Sequence, residues 1–196
     1  MRATTRGRRS GPPLPPGAWR VEETTWGREQ RVRLATGPPS LIGEDGERVR
    51  SVHAAAFTDA GDVLLVQNKD GSWTLPGGRL EDRETADEAL VRELWEEARA
   101  RLAPGHVPVA VTRIEFLNRV PGRVYRVHPT FLLWVAGRVA HLSDEPHHDP
   151  ADFVTCRRVV PLAETRTLLP PLEQEVLAVA ARAWPTGGRP DDDGSI

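Results

Sequence analysis

Four glutamates and one arginine stand at fixed offsets in a short stretch: Glu84, then Arg92-Glu93-Leu94-Trp95-Glu96-Glu97. Glu93, Glu96 and Glu97 have the spacing of one helix face. Carboxylates that close repel one another. At ~4 Å, two unit charges cost about 4 kcal/mol even at an effective dielectric of 20. Such a face calls for a cation, and an all-oxygen donor set suits a hard divalent ion such as magnesium. A turn without side chains at its end, Pro76-Gly77-Gly78, precedes the stretch. A competing reading is a solvated helix face, because Glu88 with Arg92 and Glu97 with Arg101 are i, i+4 pairs. Pairs of that kind contribute only a few tenths of a kcal/mol each and are common.

The elements that must hold these residues can be read from local pattern. Thr85 is a good N-cap, and Glu88 three residues on completes a capping box. Ala86, Ala89 and Leu90 share a face with Glu93, so the apolar side of the helix leads into the carboxylates. Before it, Ser51 to Thr58 and Val63 to Asn68 read as strands, with hairpin chemistry at Asp59-Ala60-Gly61-Asp62. Val21, Val32 and Leu34 alternate with charged residues around Gly27, which predicts extended structure over 19–35. After the helix, strands are expected near Val107 to Leu117 and Arg123 to Val135, joined at Pro121-Gly122. Leu142 to Asp152 reads as a polar loop and Phe153 to Val160 as a further strand. Pro171 opens a helix to about Trp184, with Leu172, Val176, Val179, Ala180 and Ala183 on its apolar stripe. Strands with two helices and no βαβ alternation make an α+β layout.

The stretch from Gly78 to Ala100 resembles the signature of the Nudix hydrolase family. Gly78, Glu84, Arg92, Glu93, Leu94, Glu96 and Glu97 stand where that signature requires them, and Arg99 replaces its glycine. The six fixed Gly, Glu and Arg positions would co-occur by chance with a probability of roughly 10⁻⁴, which sets the coincidence aside. The resemblance covers residues 51–184 and implies a mixed β-sheet sandwiched between helices, with the signature as loop, helix, loop. It implies Mg²⁺-dependent (or Mn²⁺-dependent) hydrolysis of a pyrophosphate bond in a nucleoside diphosphate linked to another group, or in a nucleoside di- or triphosphate. Matched position by position, Glu93, Glu96 and Glu97 are the carboxylate ligands, with the Gly78 carbonyl as a further ligand. Glu84 and Arg92 pair to brace the loop against the helix. The base is Glu93 or an acid outside the signature; in the 142–152 loop, Glu145 and then Asp152 are the candidates. His147 and His148 beside Asp149 read as solvent-facing. Family helices of this kind end at the glycine. A side chain at Arg99 resists the left-handed conformation, so the helix is expected to continue to about Leu102.

Two rivals belong to other classes. One is a nucleotide-binding regulatory module of the same fold without turnover. The other is an isoprenoid diphosphate isomerase, which would call for a cysteine on an early strand, whereas Cys156 lies far downstream.

Bulk properties narrow the setting. The chain has 196 residues, 39% hydrophobic and 28% charged, with a net charge of −2. That balance gives no case for bulk nucleic-acid binding, and no apolar run approaches the ~18 residues of a membrane span. The resemblance implies a small-molecule nucleotide as partner, and the bulk properties add neither nucleic acid nor membrane. A lone cysteine fits a reducing, cytoplasmic compartment. Residues 1–18, rich in arginine and proline, and residues 185–196 read as disordered tails flanking a β extension over 19–50 and the main domain over 51–184. Alternating apolar residues in 19–40 would suit a strand that pairs with a second copy of the chain, giving a homodimer. Trp134 and Phe131 read as core or sheet-face residues, or as a stacking surface for a base.

Overall fold

The computed structural model describes residues 15–122, 127–145, 150 and 153–184. In chain order the strands and helices are β1 (Arg20–Trp26), β2 (Gln30–Gly37), β3 (Val49–Phe57), β4 (Val63–Asn68), β5 (Trp73–Thr74), β6 (Gly77–Arg79), α1 (Ala86–Ala98), β7 (Ala100–Leu102), β8 (Val107–Phe116), β9 (Thr130–Leu142), β10 (Val154–Val160), α2 (Thr165–Leu168) and α3 (Pro171–Ala183). The strand order is β1-β2-β8-β9-β3-β4-β10, with β5 on β4, β6 on β3 and β7 on β9. β3 and β9 run parallel, and the other pairs are antiparallel. The sheet is therefore mixed.

Period-two alternation sends the central strands' side chains to two cores. Val52, Ala54 and Ala56 of β3, with Leu64 and Val66 of β4, meet Ala89, Leu90, Leu94 and Ala98 of α1. Ala55 and Phe57, with Val63 and Leu65, face the other way and meet Val176, Leu177 and Ala180 of α3. Both faces of the central strands are thus covered by helices, the sandwich that the resemblance implied. The buried stripe of α3 is turned from the expected one: Glu173 and Leu177 are buried, and Ala183 is not.

The β3–β4 hairpin opens almost at once. Its strands are in register at Phe57↔Val63. β4 then takes Thr74 of β5 opposite Val66, while β3 takes Gly78 of β6 opposite Val52. Residues 73–79 therefore fill the gap between the two strands, and the Ala54 amide donates to the Pro76 carbonyl at 2.9 Å. This wedge places Gly77 and Gly78 beneath α1.

Residues 20–37 form the β1–β2 hairpin around Gly27, and β2 joins β8 of its own chain, with Val32↔Phe116 and Leu34↔Ile114 in register. The segment expected to pair with a second copy thus lies at one end of this chain's sheet. β9 runs on to Leu142, well past the expected end near Val135. Its last turns gain a partner in β7, with Leu102↔Val139 and Ala100↔Leu142. Cys156 is half-buried on β10 and its thiol lies 3.4 Å from Gln67 Oε1. No helix among the described residues is long and apolar enough to cross a membrane.

Candidate active site

The start of α1 is built as the local sequence dictates. The Glu88 amide donates to Thr85 Oγ1 at 3.2 Å, and the Thr85 amide donates back to the Glu88 carboxylate at 2.8 Å. This occupies Glu88, so it does not pair with Arg92. The Arg92 guanidinium grips Glu84 with two hydrogen bonds of 2.8 and 2.9 Å. It also reaches Glu93 at 3.0 Å, Glu96 at 3.1 Å and the Arg79 carbonyl at 2.9 Å. Arg92 hydrogen bonds hold the Glu84 carboxyl below its usual range, helped by the Glu81 amide. The same Glu84 bonds raise the guanidinium pKa further.

The expected brace between Glu84 and Arg92 is therefore present, and Arg92 does more than brace. It is a cation among the carboxylates, which partly answers the repulsion that the sequence posed. Arg92 nevertheless brings one positive charge to a group of four carboxylates, so these five side chains together remain acidic.

Glu97 takes the other direction. Its carboxylate accepts from the Gly77 amide at 2.8 Å. The two glycines are required for distinct reasons. Gly77 has φ 140°, and a Cβ there would collide with the Val52 carbonyl and the His53 backbone. A Cβ on Gly78 would overlap the Glu93 carboxylate itself. Loss of that side chain lets a carboxylate lie directly against the Gly78 backbone, as an oxygen-ligand cradle needs. Among the described residues, no three acidic, histidine or cysteine side chains are drawn into one ligand cluster. The Arg92 guanidinium gathers Glu84, Glu93 and Glu96, while Glu97 is held by the Gly77 amide.

Helix α1 stops at Ala98, short of the expected Leu102. Arg99 adopts the left-handed conformation, φ 47° and ψ 39°. Three contacts compensate for its unfavourable backbone. Its amide donates to Trp95 O at 3.1 Å, its guanidinium donates to the same carbonyl at 3.2 Å, and the guanidinium lies 5.3 Å from the Trp95 ring centre. Arg101, now on β7, stacks on that ring at 4.9 Å instead of pairing with Glu97. Neither i, i+4 pair of the solvated-face reading exists. Arg157 donates to the carbonyls of Ala98 and Ser143, closing the end of the helix from β10.

Of the acids expected outside the signature, Glu145 is exposed, its amide bonded to Ser143 Oγ at 3.1 Å. Asp152, with His147, His148 and Asp149, lies outside the described residues.

Beside Gly78 opens a cavity of about 760 Å³, within the 300–1,000 Å³ span of small-molecule sites. Its floor is the face of the sheet that α3 leaves uncovered. Two lining residues bear on the turn: His53, which the sequence reads as a core or sheet-face histidine, and Glu173, which escaped the sequence reading. Glu173, nine-tenths buried, accepts from the Leu75 amide at 2.6 Å, and burial pushes its pKa up to about 7. The Nδ1–H of His53 donates to the Leu75 carbonyl at 3.2 Å, and burial lowers the pKa of that ring. Together they clamp the residue that leads into Pro76-Gly77-Gly78. A glutamate in the first turn of a helix looks like a dipole complement, so only its distance from solvent reveals it. Trp134 is buried, its indole N–H donating to Thr112 Oγ1 at 2.9 Å; Phe131 belongs to the core.

A model of the NUDIX domain matches residues 47–181. The chain belongs to the Nudix family. Among curated proteins it is similar to the RNA pyrophosphohydrolase of Pseudomonas aeruginosa (strain UCBPP-PA14), 39% identical over 90 residues, 45% of this chain and 55% of that protein. The RNA pyrophosphohydrolase of Shewanella sp. (strain MR-7) is 43% identical over 88 residues, 44% of this chain and 49% of that one. The chain thus spans about half the length of the curated relatives it matches. Among solved structures, a mutant Bacillus subtilis pyrophosphohydrolase gives a TM-score of 0.54 at 17% identity, over 82% of this chain and 94% of that one. A NUDIX hydrolase from Nitrosomonas europaea gives 0.52 at 18%, over 71% and 99%. These structures share the Nudix fold, and at such identities they speak to fold alone.

Proposed function

We propose that this Nudix chain is a magnesium-dependent pyrophosphohydrolase that cleaves a P–O–P linkage in a nucleotide. The observation that carries the reading is the Gly78 cradle: a carboxylate of α1 lies where a side chain would otherwise stand, next to a backbone turn and an acidic face. The donor set is all oxygen and net negative, which fits a hard divalent cation. Glu93, Glu96, Glu97 and the Gly78 carbonyl would hold it. When bound, it neutralises phosphate oxygens and acidifies a water.

The chain's own residues divide the remaining work. Arg92 and Glu84 fix the 79–84 loop against α1. Glu97, through the Gly77 amide, fixes the turn. Glu93, closest to Gly78, is the acceptor for the water's proton, with Glu145 and Asp152 as the acids that the 142–152 loop could supply instead. The cavity beside Gly78 receives the rest of the substrate. The curated relatives are named for RNA pyrophosphohydrolysis, so a 5′-triphosphate RNA end belongs beside free nucleotides among the candidates. The bulk charge argues against duplex binding and not against a terminal nucleotide. A cytoplasmic setting suits such substrates. Edge pairing of β1 between two copies is the dimer mode that residues 19–40 would allow; a mass of 21.7 kDa by light scattering would exclude it.

The test is a panel of nucleoside diphosphates, triphosphates, nucleotide sugars and a short 5′-triphosphate RNA, with products identified by mass. Turnover should require Mg²⁺ or Mn²⁺. Glu97→Gln should lower it by about 100-fold or more while melting normally, because the amide oxygen still accepts from Gly77. Tight nucleotide binding without hydrolysis under any divalent ion would replace the enzyme by a binding module.

A further inference from the structure

The β1–β2 hairpin precedes the stretch that the Nudix model matches, yet it reaches the cavity beside Gly78. Strand register explains how. Leu34 faces Ile114 and Val32 faces Phe116, so their side chains share one face of the sheet, while Arg33 faces Glu115 on the other. The second face is charged: Arg33 bridges Glu23 and Glu115, and Glu115 also takes Arg113 at 2.6 Å. The first face is apolar and continues across β9 into Leu132 and Trp134, the cavity floor. Val32, Leu34 and Ile114 already give the hairpin its own buried cluster.

Two large rings remain at the edge of that cluster. Trp26 and Phe116 are both only half-buried and both line the cavity. Their centres are 6.4 Å apart and their planes meet at 76°. Two rings at nearly a right angle make an L-shaped corner, which can offer a face and an edge to a third, flat ring. His128 adds a third ring, 5.8 Å from Phe116. The far side of the same cavity carries Gly78, where the phosphate chemistry of the proposed function would take place, and Arg50. A nucleotide is a flat ring joined to an anionic tail, and the cavity has an aromatic corner apart from an oxygen-rich turn.

We infer that the N-terminal hairpin completes the substrate site, with Trp26 and Phe116 as the wall on which the substrate's base stacks. The inference rests on the nucleotide reading above and makes Trp26 a specificity residue contributed from outside the family core. Phosphate positioning is left to α1 and the Gly78 turn, so loss of Trp26 removes discrimination for the base and not affinity for the phosphate.

The test measures binding of AMP, GMP, CMP and UMP by calorimetry, with and without Mg²⁺, against ribose 5-phosphate as a control without a base. Wild type should bind at least one nucleoside monophosphate more tightly than ribose 5-phosphate. Trp26→Leu keeps an apolar contact with Phe116 and should weaken that nucleotide by about 5-fold or more, the lower end of base–aromatic stacking. Trp26→Phe should retain most of the affinity, and all three proteins should bind ribose 5-phosphate alike. If Trp26→Leu melts early, Phe116→Leu reports on the other half of the corner. A well-folded leucine variant with wild-type nucleotide affinity overturns the inference, as does a wild type that prefers no nucleotide over ribose 5-phosphate. Hydrolysis is scored separately in the substrate panel above, so absent turnover beside an intact base preference fails the hydrolysis reading and not this one.

Discussion

Replacing Arg99 by glycine and, separately, by alanine tests how α1 ends. Both variants delete the guanidinium bond to the Trp95 carbonyl and the contact with the Trp95 ring. These losses, about 1 kcal/mol for the bond and about 0.5–1 kcal/mol for the cation–ring contact, are common to both and cancel in the comparison. What remains is the backbone. At φ 47° and ψ 39° a residue with a Cβ costs roughly 1–2 kcal/mol. Glycine escapes that cost but loses about 0.4–1 kcal/mol through the greater freedom of its unfolded chain. Arg99→Gly should therefore be more stable than Arg99→Ala by up to about 1.5 kcal/mol, a melting difference of roughly 2–4 °C per kcal/mol for a chain of this size. Had the helix run on to Leu102, the order would be the reverse, because alanine exceeds glycine by about 1 kcal/mol inside a helix. Thermal melts by circular dichroism, checked by urea titration, read the sign directly. An alanine variant more stable than the glycine variant would refute the left-handed end.

Two further predictions concern charge. The Glu173 pKa rises from 4.5 to about 7 on folding, so the folded chain binds more protons than the unfolded chain between those values. Stability from this group is therefore greatest at low pH and falls as pH climbs through about 4.5–7, by on the order of 3 kcal/mol at most. Glu173→Gln, whose amide oxygen can still accept from Leu75, should flatten that slope and be the more stable protein at pH 8; parallel melting curves across pH would contradict the assignment. Glu84→Gln weakens two charge-assisted bonds to Arg92 and should cost about 1.5–3 kcal/mol, with a loss of turnover that tracks disorder of the 79–84 loop in hydrogen exchange. Unchanged stability would mean that Glu93, Glu96 and the Arg79 carbonyl suffice to hold Arg92.

The sequence made the α1 neighbourhood legible because its signals are local. The capping box at Thr85 and Glu88, the bracing of Glu84 by Arg92, and the bare Gly77-Gly78 turn each depend on contacts within some twenty residues. The reading failed at Arg99, where propensity spoke for a longer helix. The decisive partners were tertiary: residues 139–142 of β9 offered 100–102 a strand, and Arg157 arrived from β10 to close the helix. Glu173 was invisible for a similar reason. Nothing in Pro171-Leu172-Glu173 records that Leu75 will lie over it. The charge argument for a cation left out one already present, since Arg92 sits in the signature itself. The cavity needed the register of six strands, which no local pattern supplies, and so the hairpin's aromatic corner emerged only from the folded sheet.

Helix α1 is held like a beam clamped at both ends. Gly77–Arg79 is stitched to β3 just ahead of it, and Ala100–Leu102 to β9 just behind it; β3 and β9 are themselves neighbours in the sheet. Sliding the helix along its axis or rolling it would shear a ladder on one of two adjoining strands. The carboxylates are thus denied the freedom of a lid. Under the proposed function, adjustment to different substrates falls to whatever surrounds the beam, and variation in the hairpin and the connecting loops retunes what is held without disturbing where the bond is cut.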